Sequence, residues 1–390
     1  MERKSVNKVD RQTVRVVHLT SVHRPNDNRI FHKECRTLAE AGYEVTLVAP
    51  GDKHGVVDGV KIKSVPRRDS RLARMLVTTW HVFRAGLAEK GDIYHFHDPE
   101  LIPFGLLLRL VGRRVIYDVH EDYVTSISQK RYLPRVLRKT LARVFGWLEN
   151  LSSKAFRLVL AERYYLRRFP TGTLILNYPR LDFFRFDDSA PVNQDDLQNV
   201  QPALRRLIYT GGVTVDRGAL IYARMVAEIP DIEVTVAGYC PPALAQQMRA
   251  TAGHGASRLK IIGEGRFVPF EEIATIYRSG LWTAGLAIFP RTPHYVQKEL
   301  TKFFEYMAAG IPIICSKFPV WRELVAENGV GICVDPDDIR SIRMAIDALS
   351  TDRNRAMEMG KRGRDLVLKR FNWEVEGRKL VEFYDNLAVR

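Results

Sequence analysis

QKELTKFFEYMAAGIP, residues 297–312, stands between two short apolar runs, GLAIFP (285–290) and IPIICS (311–316). This pattern predicts a strand, a loop, a short helix stopping at Gly310 and a second strand. That is the repeating unit of a doubly wound α/β sheet, which binds ligands at the carboxyl ends of its strands. Residues three apart on a helix are neighbours, so Lys302 and Glu305 share one face near the helix N-terminus. Free N–H groups and the helix dipole favour anions at such an end. A cation and a carboxylate there suit a ligand carrying both phosphate and sugar hydroxyls, as a nucleotide sugar does. The competing explanation is an ordinary solvated pair on a helix surface.

The same alternation runs through the chain. VRVVHLT (14–20), EVTLVAP (44–50), DIYHFH (92–97), RVIYDVH (114–120) and RLVLAE (157–162) read as strands separated by crossover segments, which predicts a doubly wound first domain over 1–178. PRLDFFRFDDSAPVNQDDLQNVQP (179–202) is polar, acidic and proline-bearing, and reads as a linker. RLIYTG (206–211), IEVTVAG (232–238), LKIIG (259–263), GLAIFP and IPIICS then give a second domain of the same class over 203–372. Two such domains facing one another leave a cleft between their strand ends. Trp373, Leu380, Phe383 and Leu387 have helical spacing, so 373–390 is expected to pack back on the body as a helix.

A chain of 390 residues is long enough for two cores, and 46% hydrophobic content excludes wholesale disorder. Its four cysteines, Cys35, Cys240, Cys315 and Cys333, show no Cys-x-x-Cys spacing and read as buried thiols of a reducing cytosol. The first residues are polar up to Val14, without the apolar stretch of a secretory signal. No apolar run approaches the ~20 residues that span a bilayer; LIPFGLLL (101–108) is cut off by Arg109. The expectation is a cytoplasmic protein.

The net charge of +15 is unevenly placed: 1–178 holds 32 Lys and Arg against 18 Asp and Glu, and 179–390 holds 28 against 27. An anionic surface partner is therefore expected for the first half, and nucleic acid or acidic lipid would each qualify. The densest basic segment, 129–157, sets Leu137, Leu141, Val144, Phe145 and Leu148 at helical spacing beside Arg135, Arg138, Lys139 and Arg143, with Trp147 available for an interface. It is either a helix resting on an anionic membrane, each basic residue adding ~1 kcal/mol near the surface, or a core-facing helix with a solvated basic side. No nucleic-acid reading module is recognisable.

HLTSVHRPNDNRIFHKE (18–34), AGYEVTLVAP, DIYHFHDPEL, VIYDVHEDY, LILNYP, YTGGVTVDRG and KFFEYMAAGIPII occur in an order that resembles the family-four retaining glycosyltransferases of the GT-B fold, over nearly the whole chain. The resemblance implies transfer of a sugar from a nucleotide diphosphate, UDP by family precedent, to a glycan or lipid-linked acceptor in polysaccharide biosynthesis. It implies retention at the anomeric carbon, no metal and no other cofactor. The donor would sit in the C-terminal domain and the acceptor by the N-terminal one, peripherally on the inner face of the plasma membrane.

Position by position, Glu305 matches the glutamate that grips the ribose hydroxyls; a carboxylate accepts from two vicinal hydroxyls at once. Arg217 matches the basic residue on the pyrophosphate, with Lys302 joining it, and Arg266 is a further donor-side candidate. Fixed cations stabilise the leaving diphosphate more as the glycosidic bond breaks. His120 matches the active-site histidine near the transferred sugar. His97 and Asp98, ending a strand, are acceptor-side or structural. The chain also departs from the family pattern. Gln297 stands where the first glutamate of the motif is usual, and Glu299 is the alternative. Gly212 replaces the turn arginine. RPNDNR (24–29) replaces a glycine-rich loop, leaving Asp27, Arg29 or Lys33 as substitute contacts. Asp335 and Asp337 read as a turn rather than a metal pair. A sugar-nucleotide epimerase and a catalytically impaired nucleotide-sugar-binding scaffold are the alternatives.

Overall fold

A computed structural model describes residues 11–68, 70, 73–128, 134–184, 204–278 and 282–388. Most of the expected linker, from 185 to 202, and the start of the basic segment, 129–133, lie outside the described residues. The chain divides into two compact units, Met1–Asn177 with Trp373–Arg390, and Tyr178–Asn372.

In the first unit the strands are β1 (Arg15–Leu19), β2 (Glu44–Pro50), β3 (Gly55–Val57), β4 (Val60–Val65), β5 (Ile93–Phe96), β6 (Arg114–Val119), β7 (Arg157–Leu160) and β8 (Thr173–Leu174). They form one sheet in the order β3-β4-β2-β1-β5-β6-β7-β8. All pairs are parallel except the β3–β4 hairpin. Central strands are buried on both faces, so they read as continuous apolar runs. Val16, Leu47 and Ile93 pack on one side of the sheet, and Val17, Tyr94 and Phe96 on the other. The helix Trp373–Ala388 lays Trp373, Leu380, Tyr384 and Leu387 into the first of these layers. Trp373 donates its indole N–H to Thr37 Oγ1 at 2.8 Å, and Glu376 accepts from the Leu176 N–H at 2.9 Å, which fixes the helix to this unit.

The second unit has β9 (Arg205–Thr210), β10 (Ile232–Cys240), β11 (Leu259–Glu264), β12 (Ala284–Ala287), β13 (Ile313–Ser316) and β14 (Gly331–Val334). Their order is β11-β10-β9-β12-β13-β14, all parallel. The strand order reverses between β1 and β5 in the first sheet and between β9 and β12 in the second. These switch points are where open α/β sheets hold ligands at the strands' carboxyl ends.

Candidate functional site

At the second unit's switch point, β9 runs into Gly211 and Gly212 and then into a helical turn at Val215–Arg217. Gly218 follows with φ +84°, and a Cβ there would stand 2.1 Å from the Ile288 carbonyl oxygen. Only glycine permits that backbone and that approach, so the loop lies tight against the end of β12. The helix Thr301–Ala308 brings Lys302 to the same place.

Lys302 is buried, its Nζ 4.7 Å from the ring centre of Tyr209 and 5.2 Å from that of Phe289. A Cβ on Gly211 would lie 3.6 Å from that Nζ, and one on Gly212 would lie 3.2 Å from Arg217 Nη1. The contact at Gly212 would be tight and the one at Gly211 ordinary, though its φ of +100° itself favours glycine. Arg217 donates from Nε to the Tyr295 hydroxyl at 2.9 Å. Among the described residues, neither Lys302 nor Arg217 has a carboxylate within ion-pairing distance. Burial, with Arg217 adding to it and Glu305 opposing, brings the Lys302 ammonium down to about 7.

Glu305 shares the helix face of Lys302 without pairing to it, and the pair is not the solvated surface contact that spacing alone allowed. The half-buried Glu305 accepts from the Tyr277 hydroxyl at 2.9 Å, and that hydroxyl lies 2.7 Å from Thr210 Oγ1. Glu305 is thereby oriented at the end of β9. Gln297 is exposed and Glu299 half-buried on the loop before the helix. Arg266 is exposed and ion-paired with Glu272 at 2.6 Å, apart from the Arg217–Lys302 group.

The first unit's switch point is polar and carries its own counter-charges, although both Glu34 oxygens, His95 Nε2, Asp98 Oδ1 and His120 Nδ1 have no hydrogen-bond partner among the described residues. Arg29, buried, holds Asp118 with two hydrogen bonds of 2.9 and 2.8 Å, reaches Glu34 at 3.1 Å and donates to the Ile175 carbonyl at 3.1 Å. It is therefore committed inside the protein, and the reading of Arg29 as a ligand contact is corrected. Lys33 is likewise turned inward, donating to Asn177 Oδ1 at 2.7 Å. Burial and the Asp118 charge push the Glu34 carboxyl well up. Asp118 is held well down despite its burial, chiefly by Arg29.

Around this pair stand His18, His95 and His97, all buried, with the first two forced well below the usual imidazole value by burial and by His97. His97 lies 3.1 Å from Asp118 and 2.9 Å from His18, and His95 lies 2.7 Å from the Tyr384 hydroxyl. Asp98 accepts from Thr20 Oγ1 and from the Ser21 N–H, both at 2.7 Å, and so ties down the loop after β1. Asp27 accepts from the N–H groups of Arg29 and Ile30 at 2.9 Å and so caps the helical turn Ile30–Cys35.

His120 ends β6 half-buried, with Nε2 3.1 Å from His23 Nε2 and Nδ1 3.3 Å from Asp118. His23 in turn lies 3.1 Å from Asp27. Burial opposes its charge, but Asp27 and Asp98 outweigh it and raise His23 to about 9. A charged His23 donates from both ring nitrogens, towards Asp27 and towards His120.

Three sets, His18–Glu34–His95–His97, His23–Asp98–His120 and His97–Asp118–His120, bring ligand atoms within 4.8 Å of one another. The carboxylates of these sets, Glu34, Asp98 and Asp118, already face Arg29 and His23, with which a dication would compete. His23, Asp118, Tyr277 and Tyr295 escaped the sequence reading. The only local signal was His23 and Asp27 four residues apart.

A family model described as "Glycosyl transferase 4-like domain" matches residues 28–169, and one described as "Glycosyl transferases group 1" matches 221–366. The chain is 23% identical over 378 residues to a phosphatidyl-myo-inositol mannosyltransferase of Mycolicibacterium smegmatis, covering 90% of this chain and 87% of the relative. It is 35% identical over 81 residues, 21% of each chain, to a GDP-mannose-dependent alpha-(1-6)-phosphatidylinositol monomannoside mannosyltransferase of Mycobacterium tuberculosis. Among solved structures, the sucrose-phosphate synthase of Thermosynechococcus elongatus superposes with a TM-score of 0.76 at 18% identity, over 96% of this chain and 99% of that one.

Proposed function

We infer, for a chain that belongs to the family-four glycosyltransferases of the GT-B fold, that it moves mannose from GDP-mannose to a lipid-borne acceptor, with retention. The observation that carries the donor reading is the pair of cations, Arg217 and Lys302, beside Gly211 and Gly212, with no carboxylate in ion-pairing distance of either among the described residues. Unpaired buried charge is costly, and a diphosphate supplies the missing partner. Glu305, four residues from the helix start, takes the ribose hydroxyls. As the glycosidic bond breaks, charge grows on the diphosphate between the two cations, and its oxygen accepts the acceptor's proton.

Guanine rather than uracil is supported by similarity to relatives named for mannosyl transfer, one of them named GDP-mannose-dependent. Those names also support a phosphoinositide-type acceptor in place of a polysaccharide. The helix Arg135–Ser153 fits a membrane. It turns Ala142 and Glu149 inward, and leaves Leu137, Leu141, Val144, Trp147, Leu148 and Leu151 exposed among basic side chains. The helix Ile102–Leu110, packed beside it, adds exposed Leu107 and Leu110. No helix among the described residues is long and apolar enough to cross a membrane. An exposed apolar face ringed by Lys and Arg suits the surface of an anionic bilayer.

The test is thermal unfolding against GDP-mannose, UDP-glucose and the free nucleotides. At a hundredfold excess over Kd, a true donor stabilises by about 2.7 kcal/mol, or a shift of roughly 5–10 °C for a unit of this size. A larger shift with UDP-glucose overturns the base assignment, and no shift with any nucleotide sugar overturns the donor site. With donor bound, transfer of labelled mannose to phosphatidylinositol vesicles, weakening as salt rises, tests the acceptor; hydrolysis or binding alone overturns it.

A further inference from the structure

Cys315 on β13 and Cys333 on β14 are paired in register on neighbouring strands, with their sulfurs 3.6 Å apart. Cys315 is buried, whereas Cys333 is half-buried and lines a cavity of ≈780 Å³ together with Arg322, Arg355, Glu358 and Arg362. The cavity lies along β14 and shares no lining residue with the donor site, and nothing in the proposed transfer uses it.

We propose that Cys333 is a peroxide-reactive site whose oxidation is resolved by Cys315, giving a reversible disulfide between β13 and β14. The two thiols are differentiated for these roles. The hydrogen bond with Cys315, followed by a backbone N–H and the Arg322 charge, draws Cys333 below the ordinary thiol value against its partial burial. Burial first, then Cys333, pushes Cys315 well up. Thiolate is the nucleophilic form, so the thiol that opens on the arginine-bearing cavity reacts first. The Cys333 thiolate attacks one oxygen of hydrogen peroxide; the O–O bond breaks and hydroxide leaves, taking up a proton to become water. Cys315 then attacks the sulfenic sulfur. Its thiol proton leaves with the displaced oxygen as a second water, and the S–S bond forms. The sulfurs need only close from 3.6 Å to the ~2.05 Å of a disulfide. Cys35 and Cys240 are buried with no sulfur neighbour and take no part.

The full-length chain, reduced and then exposed to dilute hydrogen peroxide, should lose two hydrogens in intact mass. It should yield one crosslinked peptide pair joining Cys315 to Cys333, and dithiothreitol should reverse both. In Cys315→Ser, or Cys315→Ala should serine prevent folding, dimedone should label Cys333 as the sulfenic acid. In Cys333→Ser, Cys315 should stay unoxidised at the same dose. Alkylation of both cysteines at undiminished rate after peroxide treatment overturns the site. So does earlier oxidation of Cys35 or Cys240, or a crosslink between chains in place of the internal one.

Discussion

The two sheets share a strand order, and each places a polar group at the point where that order reverses, yet the two groups are opposites. Between β1 and β5, carboxylates, imidazoles and a guanidinium are packed so that Arg29 answers Asp118 and Glu34, and His23 answers Asp27 and Asp98. Between β9 and β12, Arg217 and Lys302 meet aromatic rings and glycine backbone, with no carboxylate in ion-pairing distance among the described residues. A cluster that carries its own counter-charges helps to hold its fold in place, whereas cations left without a carboxylate in reach cost stability where they stand.

The largest effect should come from unbalancing the first cluster. Asp118→Asn takes from a buried guanidinium the carboxylate that holds it with two hydrogen bonds, leaving only Glu34 as its counter-charge, and should cost up to about 3–5 kcal/mol, read as a lowered calorimetric transition for the unit that contains it. Lys302→Met at the other switch point removes a desolvated charge with no carboxylate in ion-pairing distance among the described residues and should leave stability unchanged or raised. Equal destabilisation by the two variants would break the contrast.

Next in size is the response to ligand. Charge-assisted hydrogen bonds are worth about 1.5–3 kcal/mol each, so Lys302→Met or Arg217→Met should weaken GDP roughly 10- to 100-fold while leaving guanosine nearly untouched. Calorimetric titration of both ligands separates the two cases. Equal losses for nucleoside and diphosphate would mean that the cations shape the pocket rather than hold phosphate.

This contrast was half legible in the sequence. The strands β2, β6, β9 and β10 are long apolar runs buried on both faces, and apolar periodicity found them. β4, VKIKSV, alternates Lys61 and Lys63 with buried residues and pairs with the short β3; β8 has two residues, too few for any period to register, and β14, GICV, is only half-buried at its two central residues. In the site, Lys302 with Glu305 is a local i,i+3 relation and was readable. Arg29 with Asp118, 89 residues apart, and His23 with His120, 97 apart, are brought together by sheet order alone. So are Tyr277 beside Glu305 and Tyr295 beside Arg217. Nor does a hydrophobic pattern reveal which charges will be answered once packed, and that is the distinction on which the two switch points turn.

The smallest expected effect sharpens the contrast most, because it isolates a single ammonium. With Lys302 at about 7 in the free protein, its charged fraction falls as pH rises through neutrality. A bound diphosphate favours the charged form and raises that value, so binding above pH 7 draws a proton from solution. The affinity for GDP-mannose should therefore fall between pH 6 and pH 8.5, by up to about thirtyfold, since each unit above the free-protein value costs up to a factor of ten. GDP-mannose is the right probe because its diphosphate is esterified at both ends and lacks the terminal phosphate proton that titrates near 6 in a monoester. His23, held at about 9 by its carboxylates, stays largely charged over most of this range and belongs to the other unit. Lys302→Met should bind more weakly at pH 6 and flatten the profile. A slope that survives in Lys302→Met would assign the titration to another group and restore an ordinary, fully charged lysine at this switch point.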